Sequence, residues 1–301
     1  MPELPDITLY VEALERHVVG ETLERAEVFS PSFLRSVDPP LSALVGSRAC
    51  RATRLGKRIA IGFEEDRWLV LHLMIAGRLR YRSGRGKPGR GARTNHARFQ
   101  WASGHLTVTE AGTKKRASLY VVGSEDEMRG HDPGGLEPLS MSREEFEAAL
   151  TAENHTLKRS LTDPRVFSGI GNAYSDEILH EARLSPVKLS QSLDAEAMDR
   201  LYAAIPSVLE GFSERMRREV RDGFPEKVTA FRADMAVHGR FGKPCPRCGD
   251  PVQRIVYASR ETNYCATCQN AGKLLADRAL SRLLKKDWPR TLEELEERRG
   301  R

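Results

Sequence analysis

Residues 58–82 read RIAIGFEEDRWLVLHLMIAGRLRYR. Three runs stand out in them: RIAIGF, WLVLHLMI and RLRYR. Each is short, rich in Ile, Val, Leu or aromatic residues, and bounded by polar residues or glycine, which is the pattern of strands rather than helix. The same character extends outward, from Leu23 to about Val122, with ARFQW, HLTVTE and SLYVV further along the chain. Several short strands at such spacing predict a β-sandwich or barrel-like domain. The Gly/Arg-rich segment SGRGKPGRGAR, residues 83–93, then reads as a long hairpin connection. Upstream, a helix is predicted over Pro5 to Val19. Ile7, Val11, Leu14 and Val18 recur at spacings of four and three, Asp6 suits the positive end of the helix dipole, and Gly20 is a stop.

Downstream, HDPGGLEP (131–138) is turn-rich and marks a boundary. REEFEAALTAE, NAYSDEILHEA and DAEAMDRLYAAIPSVLEGFSERMRREV follow with helical periodicity. Between the first two lies SGIGN, where Gly169 and Gly171 permit a tight turn into a helix beginning near Asn172. Free backbone N–H groups at such a start can hold a phosphate, although most Gly-x-Gly turns bind nothing. After Gly272, KLLADRALSRLLKK reads as one further amphipathic helix. The expected fold is α+β and multidomain: a helix plus β-sandwich over 1–130, a helical domain over 131–235, a cysteine finger over 236–270 and a helical, charged extension over 271–301.

Cys245-Pro-Arg-Cys248 and Cys265-Ala-Thr-Cys268 are separated by sixteen residues. Two C-x2-C turns at this spacing can close a tetrahedron of thiolates around one Zn2+, and four protein ligands leave no open position, so the site is expected to be structural. Two disulfides are the alternative, disfavoured in the reducing compartment of an unexported chain. A redox pair is the other, and no thioredoxin-like pattern surrounds either motif. The intervening GDPVQRIVYASRETNY alternates apolar and polar residues and turns near Ser259. A zinc-held β-hairpin with Arg260 at or near its tip is the result. Cys50, the odd cysteine, is expected to be a small buried hydrophobe.

The 301 residues hold 48 Lys and Arg against 42 Asp and Glu, a net charge of +6. The distribution is more informative: from Arg67 through Thr109 there is no acidic residue, while nine cations fall there and Lys114, Lys115 and Arg116 follow. A one-sided field of this kind suits a phosphate backbone, or is a solvated basic loop. Ordinary globular composition argues against a disordered chain. No apolar run approaches a membrane span, and the acidic start MPELPD is unlike a signal peptide, so a cytoplasmic protein is expected.

Pro2 follows Met1, and a small second residue usually permits removal of the initiator methionine. The chain would then begin with a free secondary amine. An N-terminal amine is less basic than lysine and is partly unprotonated at neutral pH, so it can attack an electrophilic sugar carbon. Glu3 is covalently held beside it, in position to move protons.

MPELPDI, RLGKRI with Lys57, HLMIAGRLR, SGIGNAYSDEIL, HGRFGKPC and SRETNYC occur together and in this order. The chain resembles the formamidopyrimidine-DNA glycosylase and endonuclease VIII family of base-excision repair enzymes over about residues 1–268. The resemblance implies an N-terminal β-sandwich, a helix-two-turn-helix domain and a C-terminal zinc finger, with damaged double-stranded DNA in the cleft between the halves. The damaged nucleotide, expected to be oxidised, is flipped out of the stack. By the same resemblance Pro2 is the nucleophile at C1′, Glu3 the proton donor and Lys57 a group beside the sugar and its phosphate. Asn172 and Arg260 would bind the phosphate at the lesion, and β- and δ-elimination would cut the strand. A cytoplasmic, nucleoid-associated monomer is expected.

The sequence also departs from the family pattern. Ile75, preceded by Met74, stands where members carry the methionine that fills the gap left by the flipped base. EAGTKKRAS replaces the loop that supplies an arginine to the orphaned base, leaving Lys114, Lys115 or Arg116 for that role. RDGFPEKVTAFRADMAVHG (221–239) replaces the loop that caps oxidised guanine. The residues leave two other readings open: a catalytically silent DNA-binding relative, and an RNA-binding zinc protein, which gives the Pro-Glu start no role.

Overall fold

The computed structural model describes residues 1–87, 92–226, 228–229, 231–257, 260–276 and 289–299. They divide into two units, Met1–Pro133 with Phe212–Thr229, and Gly134–Gly211 with Ala230–Arg301. Among the described residues no helix is long and apolar enough to cross a membrane.

The first unit opens with helix α1 (Leu4–His17) and continues in eight strands. These are β1 (Arg25–Val28), β2 (Ala49–Leu55), β3 (Arg58–Phe63), β4 (Trp68–His72), β5 (Gly77–Ser83), β6 (Asn95–Gln100), β7 (Gly104–Glu110) and β8 (Ser118–Val122). They form two antiparallel four-stranded sheets, ordered β1-β6-β7-β5 and β2-β3-β4-β8. Period-two alternation sends Ile59, Ile61, Leu69, Leu71, Leu119 and Val121 of one sheet into a core shared with Leu79, Phe99, Leu106 and Val108 of the other. Ile7, Leu14 and Val18 of the α1 stripe enter that core fully, and Val11 packs at its margin. The expected sandwich is therefore present.

Two expectations are corrected. The Gly/Arg-rich segment does not close a hairpin, because β5 and β6 both pair with β7, which lies between them. A tight turn, with the Trp101 N–H on the Gly104 carbonyl at 2.8 Å, sets β7 beside β6, and β5 takes the other edge. Residues 88–91 of the segment lie outside the described residues. Cys50 is exposed, not buried. The β2–β3 register shifts between Ala49 and Arg51, and the bulge leaves Ala49 buried while Cys50 faces out.

In the second unit, α3 (Arg143–Thr151), α4 (Leu157–Thr162) and α5 (Asn172–Glu181) precede α6 (Ala195–Val220), whose residues from Phe212 on belong to the first unit. The hairpin β9 (Gln253–Tyr257) and β10 (Arg260–Tyr264) and the short α7 (Ala266–Asn270) follow. A short α2 (Glu125–Arg129) lies in the first unit, and a terminal helix spans Leu292–Arg299. Most of the helix expected over 273–286 lies outside the described residues.

The turn between β4 and β5 passes the chain from one sheet to the other and depends on Gly77. Its N–H reaches the Leu73 carbonyl at 2.9 Å. A Cβ at position 77 would stand 2.2 Å from that same oxygen. Gly77→Ala should therefore lower the unfolding free energy by about 3 kcal/mol, at the upper end of overpacking costs, as measured by urea denaturation.

Candidate active site and nucleic-acid interface

The first turn of α1 fixes the beginning of the chain. Pro2 is buried, as are Glu3 at 2% exposure and Asp6 at 1%. The Glu3 N–H donates to the Asp6 carboxylate at 2.8 Å, and the Ile7 N–H reaches the Glu3 carbonyl at 2.9 Å. An acid three residues into a helix thus satisfies a backbone donor that has no intrahelical partner. The other Asp6 oxygen is buried without a partner. Burial pushes the Asp6 carboxyl up to about 6, against the opposing Glu3 N–H bond.

The terminal amine, carried here by Met1, is held below its usual value, first by burial. Arg78 and Lys57 push it the same way, while Glu3 and Asp6 pull against them. One electrostatic neighbourhood therefore contains the amine, two carboxyls and two cations. Lys57 reaches it from a two-residue hairpin turn between β2 and β3, whose Gly56 has φ +58, the left-handed backbone that such turns favour. Arg78 comes from β5 and is locked by three carbonyls, Val228 and Gly77 at 2.6 Å and Ile75 at 3.1 Å. Sequence reading missed Arg78 as a site residue; its only signal was the acid-free stretch around it.

Ile75 is 62% exposed at the tip of the β4–β5 turn, whereas Met74 is half-buried with φ +52. The Met74 N–H donates to His72 Nδ1 at 3.2 Å. The basic loop of residues 111–117 lies alongside, for a Cβ on Gly112 would stand 3.4 Å from the Cβ of Ala76. Buried Glu110 anchors that loop. Its carboxylate accepts from the Arg116 N–H at 3.1 Å and the Ala117 N–H at 3.3 Å, and meets His96 Nε2 at 2.9 Å. Lys115 donates to the Glu110 carbonyl, and Lys114, Lys115 and Arg116 are all exposed. An exposed apolar side chain and three cations therefore share one edge of the sandwich. Phe224 of the 221–239 segment packs in this unit as well, its ring 5.8 Å from those of Tyr10 and Tyr81.

In the second unit, GIGN forms the expected turn into α5, with Gly169 at φ +78 and Gly171 as the N-cap. The Asn172 side chain donates to the Glu261 carbonyl at 2.8 Å, one residue beyond Arg260 on β10. Arg260 opens β10 opposite Tyr257; its side chain, like the hairpin tip at 258–259, lies outside the described residues. Asp176, one helical turn after Asn172, accepts from the Asn263 N–H at 3.1 Å, from Lys158 Nζ at 2.5 Å and from His238 Nδ1 at 2.7 Å. Four residues of helix and two of strand both advance about 6 Å, so α5 and β10 lie side by side for a full turn. Sequence reading placed no role on Asp176, Lys158 or His238, because a polar SDE run looks solvated until its partners are known.

The four cysteines meet behind this hairpin. Their Sγ atoms all lie within 4.8 Å of one another, with Cys245–Cys268 at 4.0 Å and Cys248–Cys265 at 3.4 Å. Tetrahedral thiolates at about 2.3 Å from zinc are about 3.8 Å apart, so this set fits that ion. The finger is bound to α5 by Arg247 on the His180 carbonyl at 2.8 Å, and to the chain just past that helix by Gln269 on the Leu184 carbonyl at 2.9 Å.

Family models match in the same three blocks. They are the formamidopyrimidine-DNA glycosylase N-terminal domain over residues 1–116, its H2TH domain over 135–219, and a zinc finger found in FPG and IleRS over 242–271. The chain is 32% identical over 278 residues to the formamidopyrimidine-DNA glycosylase of Pelotomaculum thermopropionicum, covering 89% of this chain and 99% of that one. It is similar to the MutM (Fpg) protein of Thermus thermophilus at 31% identity and a TM-score of 0.73, over 89% and 98% of the two chains. The Lactococcus lactis Fpg in complex with DNA containing an abasic site shares the fold, with a TM-score of 0.77 at 23% identity over 89% and 99%. The chain is a zinc-finger DNA-repair protein by class. It belongs to the formamidopyrimidine-DNA glycosylase family, and with that membership it is a DNA glycosylase of base-excision repair with AP-lyase activity.

The buried acid gives a test of this geometry. Because the Asp6 carboxyl titrates higher when folded than unfolded, the folded state binds its proton more tightly, and stability falls as pH rises from about 4 to about 6. Asp6→Asn keeps an acceptor for the Glu3 N–H. It should flatten that window and gain on the order of 2–3 kcal/mol over the parent at neutral pH, measured by urea denaturation at both ends of the window.

Proposed function

We propose that the chain excises a damaged, oxidised base from double-stranded DNA by covalent catalysis at Pro2, once Met1 is removed. The proline nitrogen attacks C1′, the bond from C1′ to the base breaks, and the base leaves with a proton. Glu3 donates the proton that opens the sugar ring at its oxygen, leaving an iminium between Pro2 and C1′. The iminium acidifies C2′–H; loss of that proton expels the 3′ phosphate, and a second elimination expels the 5′ phosphate. The observation that carries this reading is the neighbourhood of buried Pro2: beside it burial, Arg78 and Lys57 disfavour the charged form of the amine that Met1 carries, and Glu3 and Asp6 share the same surroundings.

Asn172 and Arg260 bind the phosphate at the lesion in this reading. Exposed Ile75, backed by Met74, fills the gap left by the extruded nucleotide, and Lys114, Lys115 and Arg116 face the orphaned base. One structural zinc on Cys245, Cys248, Cys265 and Cys268 holds the hairpin that presents Arg260. The chain acts as a monomer.

Borohydride trapping on abasic-site duplex should give a covalent adduct at Pro2 in processed protein. A permanently blocked terminus should give none, and Lys57→Ala should slow adduct formation by roughly 10²-fold, the scale of a lost electrostatic or acid–base contribution. Strand cleavage by protein with a blocked terminus would refute the mechanism. Cys245→Ser should release the zinc, read by atomic absorption, and weaken duplex binding; metal retained at the parent's stoichiometry would overturn the four-cysteine site.

A further inference from the structure

The segment 221–239 takes the place of the family's guanine-capping loop, yet residues near its start are built into the first unit. Val228 is 6% exposed and lies in the sandwich core, and Phe224 packs at the margin of that core. The Phe224 ring sits 5.8 Å from Tyr10 and Tyr81 and 6.3 Å from His17. Two side chains of α1 tie down the approach. Arg217 of α6 donates to both Glu12 oxygens, at 2.7 and 3.1 Å, and Arg16 donates to the Gly223 carbonyl at 3.4 Å.

This docking bears on Arg78. The Val228 carbonyl accepts from Arg78 Nε at 2.6 Å, while the Gly77 and Ile75 carbonyls accept from Nη1 at 2.6 and 3.1 Å. Gly77 and Ile75 belong to the turn from which Arg78 itself emerges. Val228 is the acceptor that ties the guanidinium to another part of the fold. All three acceptors are neutral, so they satisfy donors without cancelling the charge. Glu226, the one acid in residues 223–229, pairs with Arg82, two residues along β5 and on the same face as Arg78. The charge of Arg78 acts on the terminal amine, as do Lys57 of the β2–β3 turn and Glu3 and Asp6 of α1. The Tyr10 hydroxyl close by is held well above its ordinary value by burial and stays neutral.

We propose that Phe224 and Val228, docked on the sandwich, are positioning residues that brace Arg78 beside the nucleophilic amine. The inference rests on the Pro2 reading of the reaction. An unbraced arginine samples many rotamers, and its effect on a fixed point weakens with distance. The Val228 carbonyl removes that freedom, and the Phe224 ring among Tyr10, His17 and Tyr81 keeps the carbonyl where it is. A cap and a brace differ in what they act on. A cap acts on the damaged base and has no bearing on DNA from which the base is already gone. A brace acts at the amine and matters on abasic DNA too.

The test uses protein processed to Pro2, confirmed by mass spectrometry, and follows cyanoborohydride trapping on abasic-site duplex across a pH series. An amine that loses the effect of a nearby cation keeps its proton to higher pH. Phe224→Ala should therefore move the midpoint of the rate profile up by about half a unit, and Arg78→Gln by about one. Below both midpoints the half-unit shift reads as roughly threefold slower adduct formation. Phe224→Tyr keeps the ring and should hold the parent's midpoint. In an Arg78→Gln background Phe224→Ala should add no further shift, because nothing is left to brace. Urea denaturation checks each fold, and Phe224→Leu, which preserves apolar volume, gives the same comparison should the alanine variant not fold. An unmoved midpoint in a folded variant, or a uniform slowing at every pH, overturns the brace. So does an equal shift with and without Arg78, which assigns the effect to another titratable group such as His17. Failure of the parent itself to form the adduct overturns the Pro2 reading and the brace with it, whereas normal trapping by the parent with an unmoved midpoint in the variants sinks the brace alone.

Discussion

The hydrogen bond from the Glu3 N–H to Asp6 fixes the beginning of the chain, and the proposed chemistry depends on it. It costs a buried carboxylate, one of whose oxygens has no partner. In return it holds the first residues of the chain in place, where most chain termini are poorly ordered. The apolar side chains around it make this possible. Leu4, Ile7 and Tyr10 are fully buried, so α1 cannot rotate or withdraw without exposing them. A terminal amine anchored in this way is a positioned group.

Positioning alone would not make the proposed nucleophile; its surroundings must also favour the uncharged amine. Burial disfavours the ammonium form, and Arg78 and Lys57 add to that effect. Two cations beside an amine would ordinarily be a liability. Here Arg78 is held by three carbonyls, and Lys57 is presented on the tight turn at Gly56. The same cations suit a polyanion. In the proposed mechanism one arrangement would both favour a neutral amine before DNA arrives and attract the phosphates that carry the sugar to it.

Much of this was legible in the sequence, and what was not has identifiable causes. Strands such as RIAIGF and WLVLHLMI announce themselves because alternation and β-branching reflect a local environment. Pairing order is non-local, and nothing in SGRGKPGRGAR reveals that β7 inserts between β5 and β6. Cys50 faces outward because a bulge shifts the register, an event that leaves no mark on composition. The cysteine spacing was readable since four thiolates around one ion constrain the sequence directly. Asp176 was not, because its partners Lys158, His238 and Asn263 are scattered over more than a hundred residues.

That scattered network bears on why the second unit holds its parts so tightly. Asp176 is fully buried, and a buried carboxylate survives only with several donors. Each of its three partners comes from a different segment: α4, the stretch before the finger, and β10. Glu177, next along α5, accepts from three successive N–H groups at 236–238, so the two acids fasten the same stretch from adjacent positions. Removing any one segment would leave a charge unsatisfied, which makes the helix, the connecting stretch and the hairpin depend on one another. Apolar packing could hold them together with less cost, but it is tolerant of sliding. Directional bonds to buried charge tolerate far less, and they set the register of β10 on α5, the strand on which Arg260 and the carbonyl bound by Asn172 both lie.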